Sequence, residues 1–206
     1  MAAGRSRGRR AGGADLTPAG RRLFFAVDPP EEARADLAAA LDPLREVPGA
    51  PRWSAPHRWH LTLLFLGSVQ EERVPRLIAA AAPAVAATPP MTLRLAGGGR
   101  FGSLRRPQVA WAGLDGDVTP LCELAARLAA AARGLRLPVE DRPFRAHLTL
   151  GRWRPRQPAD GALTDRLAGY RGPEWPVTEV RLWESHLGPK PTYQVVASWG
   201  LPDRPR

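Results

Sequence analysis

The sequence predicts one α+β domain with about seven strands and three main helices. Short apolar runs typical of strands alternate with longer segments in which apolar residues recur at helical spacing. Hydrophobic residues make up 44% of the 206 residues, which is enough to form a sizeable core. We expect residues 1–20, rich in Gly, Arg and Ala, to be a disordered basic tail, and residues 21–206 to form the domain.

The first half of the domain is predicted to alternate strand and helix. An apolar run at 22–27 is typical of a buried strand, and Pro30, Glu31 and Glu32 after it favour a helix start. That helix is expected to continue until Pro48 and Gly49. A second strand is predicted at 59–67, followed by a helix from 71 to 87.

The second half is predicted to follow a similar order, with one short extra helix. A Gly-rich turn is expected to join two strands. The predicted elements are strands at 91–96 and 108–112, a helix at 118–133, a strand at 146–152, a short helix near 163–167 and strands at 177–187 and 193–201.

Cysteine content and hydropathy narrow the class of protein. Cys122 is the single cysteine, so neither an intramolecular disulfide nor a Cys-based zinc site is possible within the chain. No apolar run approaches the ~18 residues of a membrane span. We therefore expect a cytoplasmic protein that does not associate with membranes. A monomer without an obligate protein partner is the default expectation.

Two motif-like patterns are rejected. Residues 97–102 match GxGxxG, but a dinucleotide site needs a helix directly afterwards, whereas a strand-like run follows. A hairpin or loop near the mouth of a cleft is the better interpretation. His57 and His60 have an HxxH spacing, but side chains three apart diverge in a strand and no carboxylate cluster completes a site. No metal and no cofactor are expected.

One tetrapeptide occurs twice, once in each half of the chain. His60-Leu-Thr-Leu63 is repeated as His147-Leu-Thr-Leu150, and both copies fall in predicted strands. With a period of two, His and Thr share one face and the leucines lie on the other, where they can anchor the strand in the core. A single His-x-Thr in a strand is usually structural, but two identical copies in opposite halves favour a paired site.

Paired histidines with threonines suit hydrolysis of a phosphodiester without a metal. One neutral imidazole accepts a proton from the attacking oxygen, and a protonated one donates a proton to the leaving oxygen. Thr62 and Thr149 can donate hydrogen bonds to non-bridging phosphate oxygens as charge builds up there. The sequence alone does not tell which histidine is the acid.

These motifs resemble those of the 2H phosphoesterase superfamily, and more narrowly of its RNA 2′,3′-cyclic phosphodiesterases, also called 2′-5′ RNA ligases. The family usually has proline before the second histidine, where this chain has Ala146; that position is peripheral to the chemistry. The resemblance covers about residues 21–201 and rests on residues 22–28, 60–67, 106–111 and 144–152, and on Glu184, Ser185, Tyr193 and Trp199.

The resemblance implies a bilobal fold with two antiparallel sheets, outer helices and pseudo-twofold symmetry around a central cleft. It also implies that a terminal RNA 2′,3′-cyclic phosphate is opened to a 2′-phosphate without a metal. By family analogy His60 is the proton donor and His147 the proton acceptor.

Other residues are candidates for substrate binding. The resemblance implies that Arg152 helps to hold the phosphate. Its offset from His147 puts it on the opposite face of a regular strand, unless Gly151 supplies a bulge. Arg145 and Arg58 are alternatives for the same role. Aromatic residues that would stack on a terminal base, or else belong to the core, are Phe24, Phe25 and Tyr193.

The formal charge of +10 does not decide the function. It fits a polyanionic partner, and it equally fits the codon usage of a GC-rich genome, since 29 of the 30 basic residues are arginine. The leading hypothesis is an RNA 2′,3′-cyclic phosphodiesterase. The alternatives are a relative acting on another cyclic or 2′-5′-linked nucleotide, the reverse joining of RNA ends, and a non-catalytic RNA-binding module.

Overall fold

A computed structural model describes residues 20–188 and 191–202, so the predicted tail lies outside the described residues. The strands are β1 Arg21–Val27, β2 Arg52–Trp53, β3 Leu61–Val69, β4 Thr92–Gly102, β5 Pro107–Gly116, β6 Leu148–Arg152, β7 Arg171–Pro176, β8 Glu179–His186 and β9 Thr192–Gly200. The α-helices are α1 Glu31–Leu41, α2 Val74–Ala86 and α3 Val118–Gly134, and a 3₁₀ helix spans Gly161–Leu167.

The described strands form two antiparallel sheets. Sheet A has the order β3-β1-β8-β9, and sheet B has the order β2-β6-β5-β4-β7. Helices α2 and α3 pack together and against β9 and β3 of sheet A, whereas α1 and the 3₁₀ helix pack against strands of sheet B. The expected α+β fold with two antiparallel lobes and outer helices is confirmed.

The repeated motif has the alternation that was predicted for it. Leu61 and Leu63 are 1% and 4% exposed, and both leucines of the second copy are fully buried. His and Thr of each copy remain partly exposed. The leucines therefore fix each strand in the core, and the polar pair stays on the other face.

Two strands were missed, and one helix is shorter than predicted. β2 has only two residues, and β7 contains Gly172 and Pro173, so neither shows an apolar run. The first helix ends at Leu41 instead of continuing to residue 48, and a 3₁₀ turn containing Pro43 follows. Proline lacks the N–H needed for the next helical hydrogen bond, which explains the early end.

The Gly-rich segment lies inside β4, not in the turn that was predicted there. A Cβ on Gly99 would come within 2.3 Å of the Trp111 ring, and one on Gly98 would come within 2.6 Å of Leu167. Glycine therefore lets the strand fit between an indole on one face and the 3₁₀ helix on the other. The β4–β5 hairpin turns later, at residues 103–106.

Candidate active site

The two strands that carry the motif contact each other between the two sheets. β3 is the outer strand of sheet A, β6 is the second strand of sheet B, and the two strands contact each other. The fold thus brings together elements that are 87 residues apart in sequence. Thr62 pairs with Ala26 of β1, and Thr149 pairs with Trp111 of β5.

Each motif contains a β-bulge at its second leucine. In sheet B, Thr149 is opposite Trp111 and Gly151 is opposite Ala110, so Leu150 has no partner in β5. In sheet A, Thr62 is opposite Ala26 and Leu64 is opposite Phe25, which leaves Leu63 as the extra residue. Each bulge shifts the alternation of the side chains that follow it.

The bulge in β6 puts Arg152 on the same face as Thr149. Arg152 is opposite Val109, and Val109 shares its face with Trp111, the partner of Thr149. A regular strand would have turned Arg152 away. The matching bulge in β3 puts Phe65, 40% exposed, on the face of Thr62.

His60 lies among aromatic rings. The centroid of Phe24 is 4.8 Å from that of the imidazole, and Tyr193 meets the imidazole edge-on at 5.4 Å. Phe24 is only 4% exposed and Phe25 is fully buried, so neither offers an open face to a base. Tyr193 is 37% exposed, and the Arg58 guanidinium lies 5.7 Å from its ring.

Burial disfavours the charged form of the His60 imidazole when no substrate is bound. Desolvation lowers its pKa from 6.5 to about 4, and a hydrogen bond to the Arg58 backbone opposes this shift. His60 is therefore neutral near pH 7 in the absence of substrate.

His147 is held in a similar way in the other lobe. Its Nδ1 donates a hydrogen bond of 2.6 Å to the carbonyl of Arg145, which lies two residues earlier in the chain. His60 bonds in the same way to the backbone of Arg58, two residues before it. The bond to Arg145 leaves the lone pair of His147 on Nε2. Burial lowers the pKa of His147, and the charges of Arg145 and Arg152 lower it further.

Phe101, which the sequence did not single out, completes the surroundings of His147. Its ring meets the imidazole edge-on at 4.9 Å, and the Arg145 guanidinium lies 5.6 Å from the same ring. The ring centroid of Trp111 lies 5.9 Å from that of Phe101, and Trp111 is the β5 partner of Thr149. The only sequence signal was an aromatic residue at the end of a Gly-rich segment.

A cavity of about 340 Å³ opens beside His60. Its other lining residues are Asp28, Arg34, His57, Arg58, Trp59, Arg181, Trp183, Pro191, Thr192 and Tyr193. Arg181 pairs with Asp28 at 3.0 Å. Burial nevertheless raises the pKa of Asp28, because desolvation of its carboxylate outweighs the effect of Arg181.

Two further predictions concern metals and membranes. Within residues 20–188 and 191–202, no three His, Cys, Asp or Glu side chains come together as a metal-binding group. The same part of the chain contains no helix long and apolar enough to cross a bilayer.

The single cysteine lies in α3. Burial raises the pKa of the Cys122 thiol, which fits a helix residue that is not a nucleophile.

Comparison with known proteins gives consistent matches over most of the chain. An RNA 2′,3′-cyclic phosphodiesterase of Thermus thermophilus is 35% identical, over 87% of this chain and 90% of the relative. The protein of that name from Escherichia coli is 32% identical, over 88% of this chain and 97% of the relative. The one from Archaeoglobus fulgidus is 31% identical, over 84% and 96%.

Solved structures agree with these sequence matches. TT0787 of Thermus thermophilus superposes with a TM-score of 0.72 at 35% identity, over 87% of this chain and 97% of that one. Escherichia coli LigT complexed with 3′-AMP gives a TM-score of 0.72 at 30% identity, over 88% and 98%. The family described as the 2′-5′ RNA ligase superfamily matches residues 23–189. With the duplicated motif, the two lobes and these matches in agreement, the chain belongs to the 2′-5′ RNA ligase superfamily.

Proposed function

We propose that this protein hydrolyses RNA ends that carry a 2′,3′-cyclic phosphate to 2′-phosphomonoesters, without a metal. The observation that carries the proposal is the pair of His-Thr strands, each bulged at the same leucine and meeting between the sheets. Relatives named RNA 2′,3′-cyclic phosphodiesterase support it. The expected setting is the cytoplasm, and the expected unit is a monomer.

The reaction needs one proton acceptor and one proton donor. His147 takes the proton of an attacking water on Nε2, which its hydrogen bond to the Arg145 carbonyl leaves unprotonated. The water oxygen forms a bond to phosphorus, the bond from phosphorus to O3′ breaks, and His60 gives O3′ its proton. The products are a free 3′-hydroxyl and a 2′-phosphate.

His60 has to gain its proton from solvent when the substrate binds. Its pKa of about 4 leaves it neutral in the free protein near pH 7. A phosphodiester anion bound beside the imidazole favours the charged form and raises this pKa. His60 therefore becomes a competent acid only when the negatively charged substrate is in place.

The remaining candidate residues would bind either the phosphate or the terminal base of the substrate. Thr149 and Arg152 lie on one face of β6, and the charge of Arg152 reaches His147. With Thr62 of β3, they would stabilise the charge on the non-bridging oxygens. Arg145 lies over Phe101 and supplies further positive charge next to His147. Tyr193 is the exposed ring for base stacking, whereas Phe24 supports the His60 imidazole.

The assay uses an oligoribonucleotide that ends in a 2′,3′-cyclic phosphate, incubated with the protein in the presence of EDTA. A 2′-phosphate product is expected. A 3′-phosphate product would reverse the leaving group, inhibition by EDTA would contradict the metal-free route, and no product at all would favour a non-catalytic RNA-binding module.

A second candidate function is the joining of RNA ends through a 2′-5′ linkage, since the superfamily that matches this chain is named for it. In joining, a hydroxyl of a second RNA takes the place of water in the same displacement. Hydrolysis is expected to dominate in dilute solution because water is abundant. Addition of a 5′-hydroxyl oligonucleotide to the assay distinguishes the two by the appearance of a longer product. The same assay with nucleoside cyclic phosphates tests for a preference outside RNA.

A further inference from the structure

Strand β2 has no counterpart in sheet A among the described strands. Sheet A ends at β3, which carries the first motif, whereas β2 extends sheet B beyond β6, which carries the second motif. β2 has only two residues, and just after it the backbone N–H of Ser54 donates a hydrogen bond of 2.7 Å to the Leu150 carbonyl of β6. The chain segment that leads to His60 is thereby joined to the strand that follows His147.

β2 places Arg52 directly opposite Arg152. The two residues are register partners in an antiparallel pair, so their side chains lie on the same face with Cβ atoms roughly 5 Å apart. Thr149 lies on this face too. Trp53, which is opposite Gly151, lies on the other face and packs against the core. Trp53 therefore fixes β2 on the core and leaves Arg52 on the side of the candidate site.

Neither of these two arginines has a partner of opposite charge. Both residues are exposed, and within residues 20–188 and 191–202 neither side chain forms an ion pair or a hydrogen bond. Like charges that are directly opposite in a sheet destabilise the strand pair. The folded protein therefore carries a repulsion between Arg52 and Arg152 that the described residues do not neutralise, and an anion between the two would remove it.

At the opposite edge of sheet B the charges are matched. Arg171 of β7 pairs with Asp115 of β5, and Arg94 of β4 pairs with Glu174 of β7. The same sheet thus neutralises its arginines at one edge and leaves two of them without a counter-charge at the edge next to the second motif. This contrast favours a negatively charged ligand between the arginines of β2 and β6.

The reacting phosphate is the anion that fits this position. The charge of Arg152 lowers the pKa of His147, so the guanidinium lies near the imidazole that is proposed to activate water. A guanidinium is a planar fork of N–H donors, and a phosphate offers several acceptor oxygens, so two arginines on facing strands can bind one phosphate together. Charge on the phosphate increases as water adds, which strengthens both interactions in the transition state.

We propose that Arg52 and Arg152 hold the reacting phosphate between their guanidinium groups, which makes Arg52 a further substrate-binding residue. The inference rests on the proposed function and makes its phosphate site more specific. It also gives β2 a role, since the segment that leads to the first motif supplies a cation to the second. Sheet A has no matching arginine, because no described strand lies beyond β3.

The first test compares Arg52→Gln with wild type on adenosine 2′,3′-cyclic phosphate and on the dinucleotide ApA with a 2′,3′-cyclic phosphate. kcat/KM should fall about tenfold with both, since both contain the reacting phosphate. Arg76→Gln removes an exposed arginine from α2 and is the charge-matched control, which should stay within about twofold of wild type. A loss confined to the dinucleotide would assign Arg52 to a different phosphate, and unchanged values for both substrates would assign it to none; either result would overturn the inference.

Urea unfolding separates substrate binding from a structural role. Arg52→Gln relieves the repulsion with Arg152, so it should unfold at the same urea concentration as wild type or at a higher one. Any gain should shrink at high salt, which screens exposed charges. A lower midpoint than wild type would assign Arg52 to the stability of the fold and would overturn the inference.

A double variant tests whether the two arginines share one phosphate. Arg52→Gln should lower kcat/KM about tenfold in the wild-type protein but less than about threefold in Arg152→Gln, because the second protein has already lost half of the site. Equal factors in the two backgrounds would mean that the arginines act separately, and they would reject the shared phosphate.

Failure of the proposed function gives a different result. If the wild-type protein hydrolyses neither substrate, the function is wrong, and the two arginines are tested by binding alone. Calorimetry with adenosine 2′-phosphate should then still show about tenfold weaker binding to Arg52→Gln than to wild type. Equal affinities, or no detectable binding to the wild-type protein, would reject the phosphate site.

Discussion

At the residue scale, the two histidines share one arrangement. Each interacts with the backbone of the residue two positions earlier, Arg58 or Arg145, and each has an aromatic ring against its imidazole. The backbone bond fixes the ring orientation, and the aromatic contact removes water. Both pKa values are lowered for the same reason, which is burial.

Replacing either histidine tests the proposed chemistry. His60→Ala and His147→Ala should each lower kcat by at least ~10², because each removes one of the two proton transfers. Initial rates on the cyclic-phosphate oligonucleotide measure this. Thermal unfolding of the same samples, with His60→Gln and His147→Gln as less disruptive variants, separates loss of chemistry from loss of fold. A wild-type rate in either alanine variant would refute the two-histidine mechanism.

The lowered pKa of His60 predicts a pH-dependent stability. The unfolded chain binds a proton at this histidine below pH 6.5, whereas the folded protein does so only near pH 4. Stability from this residue is therefore complete above about pH 6.5 and decreases as the pH falls towards 4. When the pH is lowered from about 7.5 to about 5, the titration of His60 should reduce the free energy of unfolding by about 2 kcal/mol.

The measurement is urea unfolding of wild type and His60→Gln at the two pH values. Glutamine does not titrate, so the variant should lose about 2 kcal/mol less between them. Equal losses in the two proteins would mean that His60 titrates normally in the folded state.

Sequence reasoning found the residues that repeat and missed those that pack around them. His60, Thr62, His147 and Thr149 were identifiable because the tetrapeptide occurs twice. Phe101 was not, since its contact with His147 depends on how far β4 extends before it turns. Such a contact is tertiary and leaves no local pattern.

At the element scale, the Gly-rich part of β4 supports the His147 side of the site. Gly99 leaves room for the Trp111 ring, Trp111 packs on Phe101, and Phe101 packs on His147. This chain of contacts explains why a segment that is typical of a turn forms a strand. Period and composition could not predict it, because the indole that fills the space comes from β5.

Gly99→Ala should therefore disturb both stability and activity. The added Cβ would lie 2.3 Å from the Trp111 ring, so the ring has to shift, which should cost roughly 1–3 kcal/mol. Urea unfolding and kcat on the cyclic-phosphate oligonucleotide measure the two effects. Gly200→Ala in β9 is the matched control, since no atom lies within 4 Å of its added Cβ. Unchanged stability in Gly99→Ala would contradict the supporting role.

Strand positions were predicted better than strand ends. The runs at 22–27 and 59–67 correspond to β1 and β3 because each contains a run of buried apolar residues. β7 was missed since its partner, β4, provides the hydrogen bonds that its Gly and Pro residues do not favour on their own. Pairing across a sheet overrides local propensity at such edges.

At the scale of the whole molecule, the charge is divided between the first residues and the rest of the chain. Residues 1–22 contain six arginines and one aspartate, a net charge of +5, which leaves +5 for residues 23–206. The basic excess therefore does not by itself identify the domain as an RNA-binding surface. The case for RNA rests on the duplicated motif and the family.

Deletion of residues 1–20 tests this division. Since the proposed site lies entirely in later residues, kcat/KM for a dinucleotide 2′,3′-cyclic phosphate should remain within about twofold of the full chain. The shortened protein is assayed at low and at physiological salt, because long-range attraction of RNA by the removed arginines would be strongest at low salt. Loss of all activity at both salt concentrations would contradict the assignment of the site.

The matching bulges in β3 and β6 bear on which of the two P–O bonds of the cyclic phosphate would break. Two halves with the same strand, bulge and His-Thr pair offer a phosphate two nearly equivalent orientations, in which O2′ and O3′ exchange places. What distinguishes them is the second residue after each bulge, Phe65 in one half and Arg152 in the other, together with the cavity beside His60. In the proposed reaction, the asymmetric surroundings therefore set the regiochemistry of cleavage, and the duplicated strands alone do not determine it.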